Sequence, residues 1–366
     1  MSQTVILTMI VKNEAHIIER CLASVRGLVT SYAIVDTGST DGTQDVIRRA
    51  MEGIPGEVHD RPWRGFGASR TEAFELAAGK ADYALVMDAD DVLEVPPGFT
   101  MPTLTDDCYF LELRRDGVTF RRTQLFKLSR RWRYVGVLHE YADCDGPVTR
   151  GDIRGPLVHS TRDGARAKDP DRYRRDAEIL EQAMREEPDN ARHVFYAAQS
   201  WRDAGDDARA RDLYLKRAAM GGFEEEAFCA LYEAAKSAER IQAPRDVVIG
   251  SYLAAYQARP KRAEPLVDAA RYCRVRGEHA LAFLFAEAAA RITSPIGELL
   301  FVALDVYAWR ALDELAIAAY WTGRHELARE INERLLHDRR VPEADLARIR
   351  DNLGWAERGL AQRKQG

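Results

Sequence analysis

Three carboxylates in four residues, Asp88, Asp90 and Asp91, follow the apolar run Leu85-Val86-Met87. Alternate side chains of a strand share a face, so Asp88 and Asp90 can point to one place while Asp91 points away unless the chain turns. Two carboxylates held that close repel each other unless a positive group sits between them. Oxygen ligands suit the hard cations Mg2+ and Mn2+. An isolated Asp-x-Asp is a short pattern, and its plainest reading is an acidic turn that caps a strand. Here it is not isolated. Val5–Val11 ends in Lys12-Asn13-Glu14, and Ala33-Ile34-Val35 ends in Asp36-Thr37-Gly38-Ser39-Thr40-Asp41-Gly42-Thr43. Further on, residues 114 to 133 hold eight arginines and lysines against the single acid Asp116. That run reads either as a solvated hairpin face or as a basic mouth for an anionic group.

The elements that must position these residues alternate in type. Strand-like runs at Val5–Val11, Tyr32–Asp36, around Val58 and at Tyr83–Asp88 are separated by helical patterns. The first of these sets Ile17, Ile18, Cys21, Leu22 and Val25 on one face; others begin near Asp41 and span roughly Ala68–Ala78. Such alternation predicts an α/β domain with a mainly parallel sheet, which binds ligands at the carboxyl ends of its strands. Every motif above lies at such an end. Tyr109–Arg114 and Val118–Lys127 predict a hairpin turning at Asp116-Gly117.

Near residue 165 the strand signal stops, which predicts an α/β domain over 1–165 and an all-α domain over 166–366. The segment from Tyr196 through Trp201 and Gly205 to Ala208, Ala210 and Tyr214 resembles a tetratricopeptide repeat: a helix, a tight glycine turn, and a second helix whose small residues allow close packing. Similar units surround Gly277 and Gly323. Gly205 and Gly277 stand 72 residues apart, two periods of about 36. The 46 residues from Gly277 to Gly323 imply an insertion around Ser294-Pro295. Stacked repeats form extended surfaces, so the array predicts a homodimer contact or a protein partner, or else simple support of the first domain.

Composition bounds the rest. With 366 residues, 46% of them hydrophobic and 30% charged, the chain has room for two cores and is ordinary for a globular protein. A net charge of −5 gives no general reason to expect nucleic acid or an anionic membrane. Five cysteines without CxxC spacing predict reduced structural thiols and a cytoplasmic location. The first apolar run is too short for a signal peptide or a membrane span, so membrane association is peripheral at most.

The two strand-end motifs and the Asp88–Asp91 segment, in this order, resemble the donor-binding half of family 2 glycosyltransferases, which have the GT-A fold. The resemblance implies that Asp36 would accept the N3–H of a uracil, and that Glu14 would line the nucleoside pocket. It also implies that Asp88 and Asp90 would hold Mn2+ or Mg2+ against the diphosphate of a UDP-sugar. Phe66-Gly67-Ala68-Ser69-Arg70-Thr71-Glu72-Ala73 is similar to a family segment whose arginine contacts the nucleotide, so by resemblance Arg70 takes that part. In the family a late histidine often completes the metal shell, and His159 is placed for it. Gly136-Val137-Leu138-His139-Glu140 resembles a segment of a branch that is similar to lipopolysaccharide-core and peptide glycosyltransferases. It makes Glu140 the expected general base of an inverting transfer, with His139 second. Overall the resemblance implies a metal-dependent, inverting transferase that moves a hexose or N-acetylhexosamine from a UDP-sugar to a peptide, glycan, lipid or small-molecule acceptor. A GDP- or dTDP-sugar donor is the enzymatic alternative, and an inert transferase-like domain carrying a repeat scaffold is the non-enzymatic one.

Overall fold

A computed structural model of the chain describes residues 3–115, 118–161 and 163–363. It divides into two compact units, residues 1–205 and 206–366. The long strands end at Ser160, with one two-residue strand, Val302–Ala303, among the described residues beyond, and the first compact unit runs on through two further helices to Gly205.

In the first unit β1 (Val5–Val11), β2 (Ser31–Asp36), β3 (Gly56–Asp60) and β4 (Tyr83–Val86) pair in parallel, in the order β3-β2-β1-β4. Helices α1 (Ile18–Val25), α2 (Thr43–Ala50) and α3 (Phe66–Ala77) connect them. The alternation of β1 explains the layering. Val5, Leu7, Met9 and Val11 join a core with Ile18, Leu22, Val25 and Ile47 of α1 and α2. On the other face Ile6 joins Ala33, Ala84 and Phe74 of α3. Because β2 and β4 lie on opposite sides of β1, the chain reverses direction across the sheet there, which opens a crevice at the strands' carboxyl ends.

Beyond β4 the sheet continues as β7 (Val118–Lys127), β6 (Cys108–Arg115), β10 (Arg150–Ser160) and β5 (Asp91–Glu94). β7 is antiparallel to β4 and to β6, as the hairpin reading requires; its turn at Asp116-Gly117 lies outside the described residues. β8 (Arg133–Val135) and β9 (Tyr141–Asp143) form a small separate hairpin around Gly136–Glu140. The unit closes with the helix pair α4 (Arg172–Glu186) and α5 (Ala191–Asp203), tied by Trp201 Nε1 donating to Glu181 at 2.8 Å.

The second unit is a succession of helices, α6 (Asp207–Ala219), α7 (Glu224–Arg240), α8 (Arg245–Ala258), α9 (Glu264–Val275), α10 (His279–Ala290), α11 (Ala311–Trp321), α12 (His325–His337) and α13 (Glu343–Arg363). Each packs against the next in sequence, as in a repeat array. The expected glycine turns are present. Gly277 and Gly323 have φ of +76° and +75°, and the N–H of the following residue reaches back to Cys273 and Ala319, closing the helix ends. The expected insertion falls between α10 and α11, where a π-helical turn at Val306–Arg310 leads into α11. All five cysteines are buried and unpaired, and no described helix is long and apolar enough to cross a membrane.

Candidate active site

Asp36 ends β2 with no exposed surface. Its Oδ1 accepts the backbone N–H groups of Gly38 and Ser39, at 2.8 and 2.7 Å, which fixes the carboxylate's orientation. Its Oδ2 is buried and has no hydrogen-bond partner among the described residues. Leaving a carboxylate oxygen dry and unpartnered is costly, so a ligand donor would relieve a standing penalty. The neighbouring wall comes from the end of β1. Asn13, at φ +57°, turns the chain and accepts the N–H of Thr40, while the N–H of Asn13 donates to Ser39. Glu14 follows, its carboxylate accepting the N–H of Ala165 at 3.1–3.2 Å. Asp36 and Glu14 therefore lie at the carboxyl ends of the paired strands β2 and β1.

The Asp-x-Asp does not sit on a strand. β4 ends at Val86, and the N–H of Asp91 bonds back to the carbonyl of Asp88 at 3.1 Å. The expected alternation of Asp88 and Asp90 is therefore replaced by a turn, which brings the buried Asp91 inward with Asp88. Arg122 of β7 bridges those two, donating to Asp88 Oδ2 at 3.1 Å and Asp91 Oδ2 at 2.7 Å. Arg70 of α3 donates to Asp88 Oδ1 at 2.5 Å and to Glu140 Oε1 at 2.7 Å. Close packing makes the second bond possible. A side chain on Gly67 would meet the carbonyl of Gly136 at 3.2 Å, so its absence lets α3 approach the loop that carries Glu140.

The electrostatics follow from these contacts. Burial alone would raise the Asp88 carboxyl, but the guanidinium groups of Arg70 and Arg122 overcome it and hold Asp88 well below the usual carboxylate range. Among the described residues Asp90 has no cation hydrogen-bonded to its carboxylate. Burial, with Asp88 and Asp91 nearby, pushes it up to about 7. Tyr134, under Arg70, is pushed up by burial to about 12.

No group of three or more His, Cys, Asp and Glu side chains among the described residues is arranged to hold a metal ion. The donor chemistry nevertheless fits a hard cation that brings further ligands with it. Asp88 and Asp90 offer carboxylate oxygens, and among the described residues no cation is hydrogen-bonded to Asp90. His159 is not brought to this group. Ser160 faces Asp91 across the β10–β5 ladder, and alternation turns His159 to the other face, where it pairs with exposed Glu94 at 2.6 Å.

His139 adopts a left-handed backbone, φ +52°, unusual for a non-glycine residue. Its ring stacks on Tyr196 of α5, centroids 3.9 Å apart, and its carbonyl accepts from Arg192 Nε and Nη2 at 2.9 and 2.8 Å. The ring keeps an exposed edge. Desolvation of its stacked side, with the charges of Arg192, Arg166 and Arg115, holds the imidazole below its ordinary range.

Three residues of this site are not legible as such in the sequence. Arg122 is one of eight cations in the basic run, and its neighbours disperse: Arg121 pairs with Asp152, Arg130 with Asp107, and Arg133 with Asp143 and Asp145. The run therefore forms no single basic mouth. Tyr196 and Arg192 have the look of repeat residues, and their only local signal is an aromatic at a helical position.

The model of the family described as "Glycosyl transferase family 2" matches residues 7–96, which hold Glu14, Asp36, Arg70, Asp88 and Asp90. A TPR repeat-containing protein of Synechococcus elongatus is 39% identical over 87 residues, covering 24% of this chain and 20% of that protein. The SPbeta prophage-derived glycosyltransferase SunS of Bacillus subtilis is 22% identical over 232 residues, covering 58% of this chain and 53% of SunS. This chain thus spans a fifth of the first relative's length and about half of the second's. Among solved structures, S. aureus TarS 1–349 in complex with UDP-GlcNAc shares 12% identity over 66% of this chain and 93% of that one, with a TM-score of 0.33. The match to the glycosyltransferase family 2 model thus runs from β1 to β5, and the helices that follow it pack in sequence as in a repeat array.

Proposed function

We propose that the protein is a glycosyltransferase that takes its sugar from a pyrimidine nucleoside diphosphate sugar, foremost a UDP-sugar, and transfers it with inversion. The observation that carries the reading is Asp36. It is a fully buried carboxylate, oriented through one oxygen by two backbone N–H groups, with the other oxygen lacking a donor among the described residues. The imide N3–H of uracil is such a donor. Glu14 follows the end of β1, the strand paired with β2.

Asp88 and Asp90 are the residues that would hold Mn2+ or Mg2+. Bound there, the ion would supply Lewis-acid stabilisation of charge on the departing diphosphate. Glu140 is the proposed base, taking a proton from the acceptor nucleophile as it attacks the anomeric carbon opposite the leaving group. His139 is the second candidate, and its stacking on Tyr196 suits a wall of the acceptor side. His159 has no part in this reading because it faces away from the carboxylates.

Asp36→Asn tests the proposal. Its amide oxygen keeps the two backbone bonds and turns an N–H group toward the base, so UDP binding measured by calorimetry should weaken by roughly 1–3 kcal/mol, about one to two decades. GDP should change little, and dTDP, which shares the imide, should follow UDP. Equal loss for UDP and GDP would make Asp36 a structural residue and remove the basis for a pyrimidine donor.

A further inference from the structure

We infer that Arg122, with Arg70, is the diphosphate-holding pair of this site, and that in the free protein both arginines stand on the carboxylates needed for the metal and the acceptor. The inference rests on the nucleoside diphosphate donor proposed above. Two guanidinium groups already occupy much of the site. Asp88 has an arginine on each oxygen, Arg70 on Oδ1 and Arg122 on Oδ2. Arg122 also takes Asp91, and Arg70 also takes Glu140, whose side chain is only 8% exposed. Every bond of this chain of contacts runs between groups on different elements: α3, the turn after β4, β5, β7 and the loop between β8 and β9.

A carboxylate already engaged on both oxygens by guanidinium groups is a poor ligand for a divalent ion, because the cations compete for the same charge. A carboxylate in an ion pair is likewise a poor proton acceptor. In the free protein, Asp88 is thus closed to metal and Glu140 is closed to an acceptor proton. A diphosphate changes both. Guanidinium groups bind phosphate oxygens through the same forked geometry that they use for carboxylates. Arg122 is the better placed to turn, since 38% of its side chain is exposed against 15% of Arg70's. Once the diphosphate takes Arg122 and Arg70, Asp88 is released to the metal and Glu140 to the acceptor. The donor's diphosphate brings two negative charges and the metal two positive ones, so the exchange leaves the net charge of the site unchanged. Ordered assembly results: the ion binds well only together with the diphosphate, and the base becomes competent only when the donor is in place. By linkage, metal and diphosphate must strengthen one another equally.

Calorimetry on the full-length protein with MnCl2, UDP, uridine and inorganic pyrophosphate tests this. For the wild type, saturating UDP should tighten Mn2+ by at least about tenfold, a typical coupling between linked ligands, and pyrophosphate should do the same. Arg122→Gln should let Mn2+ alone bind the free protein about tenfold more tightly, weaken UDP by a similar factor and leave uridine unchanged. Arg122→Lys keeps the charge that Asp91 needs for folding but not the fork. It should weaken UDP and spare uridine, and circular dichroism would report that both variants fold. If UDP and uridine both fail to bind the wild type, the donor reading falls and the inference with it. If UDP binds but Mn2+ affinity is the same with and without it, or if the Arg122 variants weaken uridine as much as UDP, the inference alone is overturned.

Discussion

Each unit holds a cluster of arginines and carboxylates, and the two clusters are built to different rules. In the second unit Arg262, Glu264 and Glu298 are almost entirely buried. Arg262 donates to both oxygens of Glu264 and to the carbonyls of Leu300 and Phe301. Glu264 further accepts from Ala303 N and the Tyr307 hydroxyl, and Glu298 takes Arg259 at 2.7 Å and Lys261 at 2.5 Å. None of these three residues has a buried polar side-chain atom left without a partner. This cluster pins the inserted segment between α10 and α11 onto the start of α9. In the first unit two guanidinium groups face Asp88, Asp91 and Glu140, while among the described residues Asp90 has no cation hydrogen-bonded to it and one oxygen of Asp36 has no partner. The saturated cluster of the second unit holds structure, whereas the first leaves carboxylate oxygens open to the ligand proposed above.

Breaking the saturated cluster should have the largest effect. Arg262→Ala leaves Glu264 and its neighbours buried without their counter-charge, which costs about 3–5 kcal/mol. The second unit's transition should move to markedly lower urea in equilibrium unfolding, while UDP affinity stays as it was in protein that remains folded. A small change in that transition would show that the cluster is not what holds the insertion.

Next in size, Glu140→Gln should lower the turnover of sugar transfer by about 100-fold or more, the usual contribution of a general base, with UDP affinity within a few-fold of wild type. If transfer continues at near wild-type rate in Glu140→Gln but not in His139→Ala, the base is the histidine.

Asp90→Asn sharpens the comparison from the other side. Removing one carboxylate from a group already in excess should leave thermal stability unchanged or raise it slightly, by under about 1 kcal/mol. Mn2+-dependent UDP binding should nonetheless be lost. A large fall in melting temperature would place Asp90 with the structural carboxylates.

The smallest effect is a pH dependence. Burial would raise Glu298, but Arg259 and Lys261 overcome it and hold the carboxyl at about 2, below its ordinary 4.5. A depressed carboxylate stabilises the fold above its unfolded pKa and loses that contribution as pH falls through the folded value. The stability difference between wild type and Glu298→Gln should therefore be full at pH 6 and shrink between about pH 4.5 and pH 2. A difference that stays constant over that range would show that the ion pairs to Glu298 add no pH-dependent stability.

Much of the fold is readable along the chain because it is set by local periodicity. Apolar runs of β1, β2 and β4 separated by helical patterns fix the α/β order, and glycines at 277 and 323 fix the helix turns through backbone conformations that other residues adopt only at a cost. Asp36 is legible for the same reason, as the first polar residue after a buried strand. The turn that carries Asp88–Asp91 is not, because alternation cannot reveal where a strand stops and simply carries β4 onward through the carboxylates.

The site's connections are decided by tertiary structure. The pairs that define it span 18 residues for Arg70 and Asp88, 34 for Arg122 and Asp88, and 70 for Arg70 and Glu140. No spacing rule reaches that far. Which arginine of the basic run meets Asp88 depends on β7 lying beside β4, and which face His159 occupies depends on the β10–β5 register. That α5 delivers Arg192 and Tyr196 to the loop of His139 depends on two helices folding back into the first unit. The sequence by itself determines which groups are available and at which strand ends they begin. Only the order and register of the sheet decide which charges are neutralised and which are left waiting, because ion pairing depends on distances between side chains far apart along the chain.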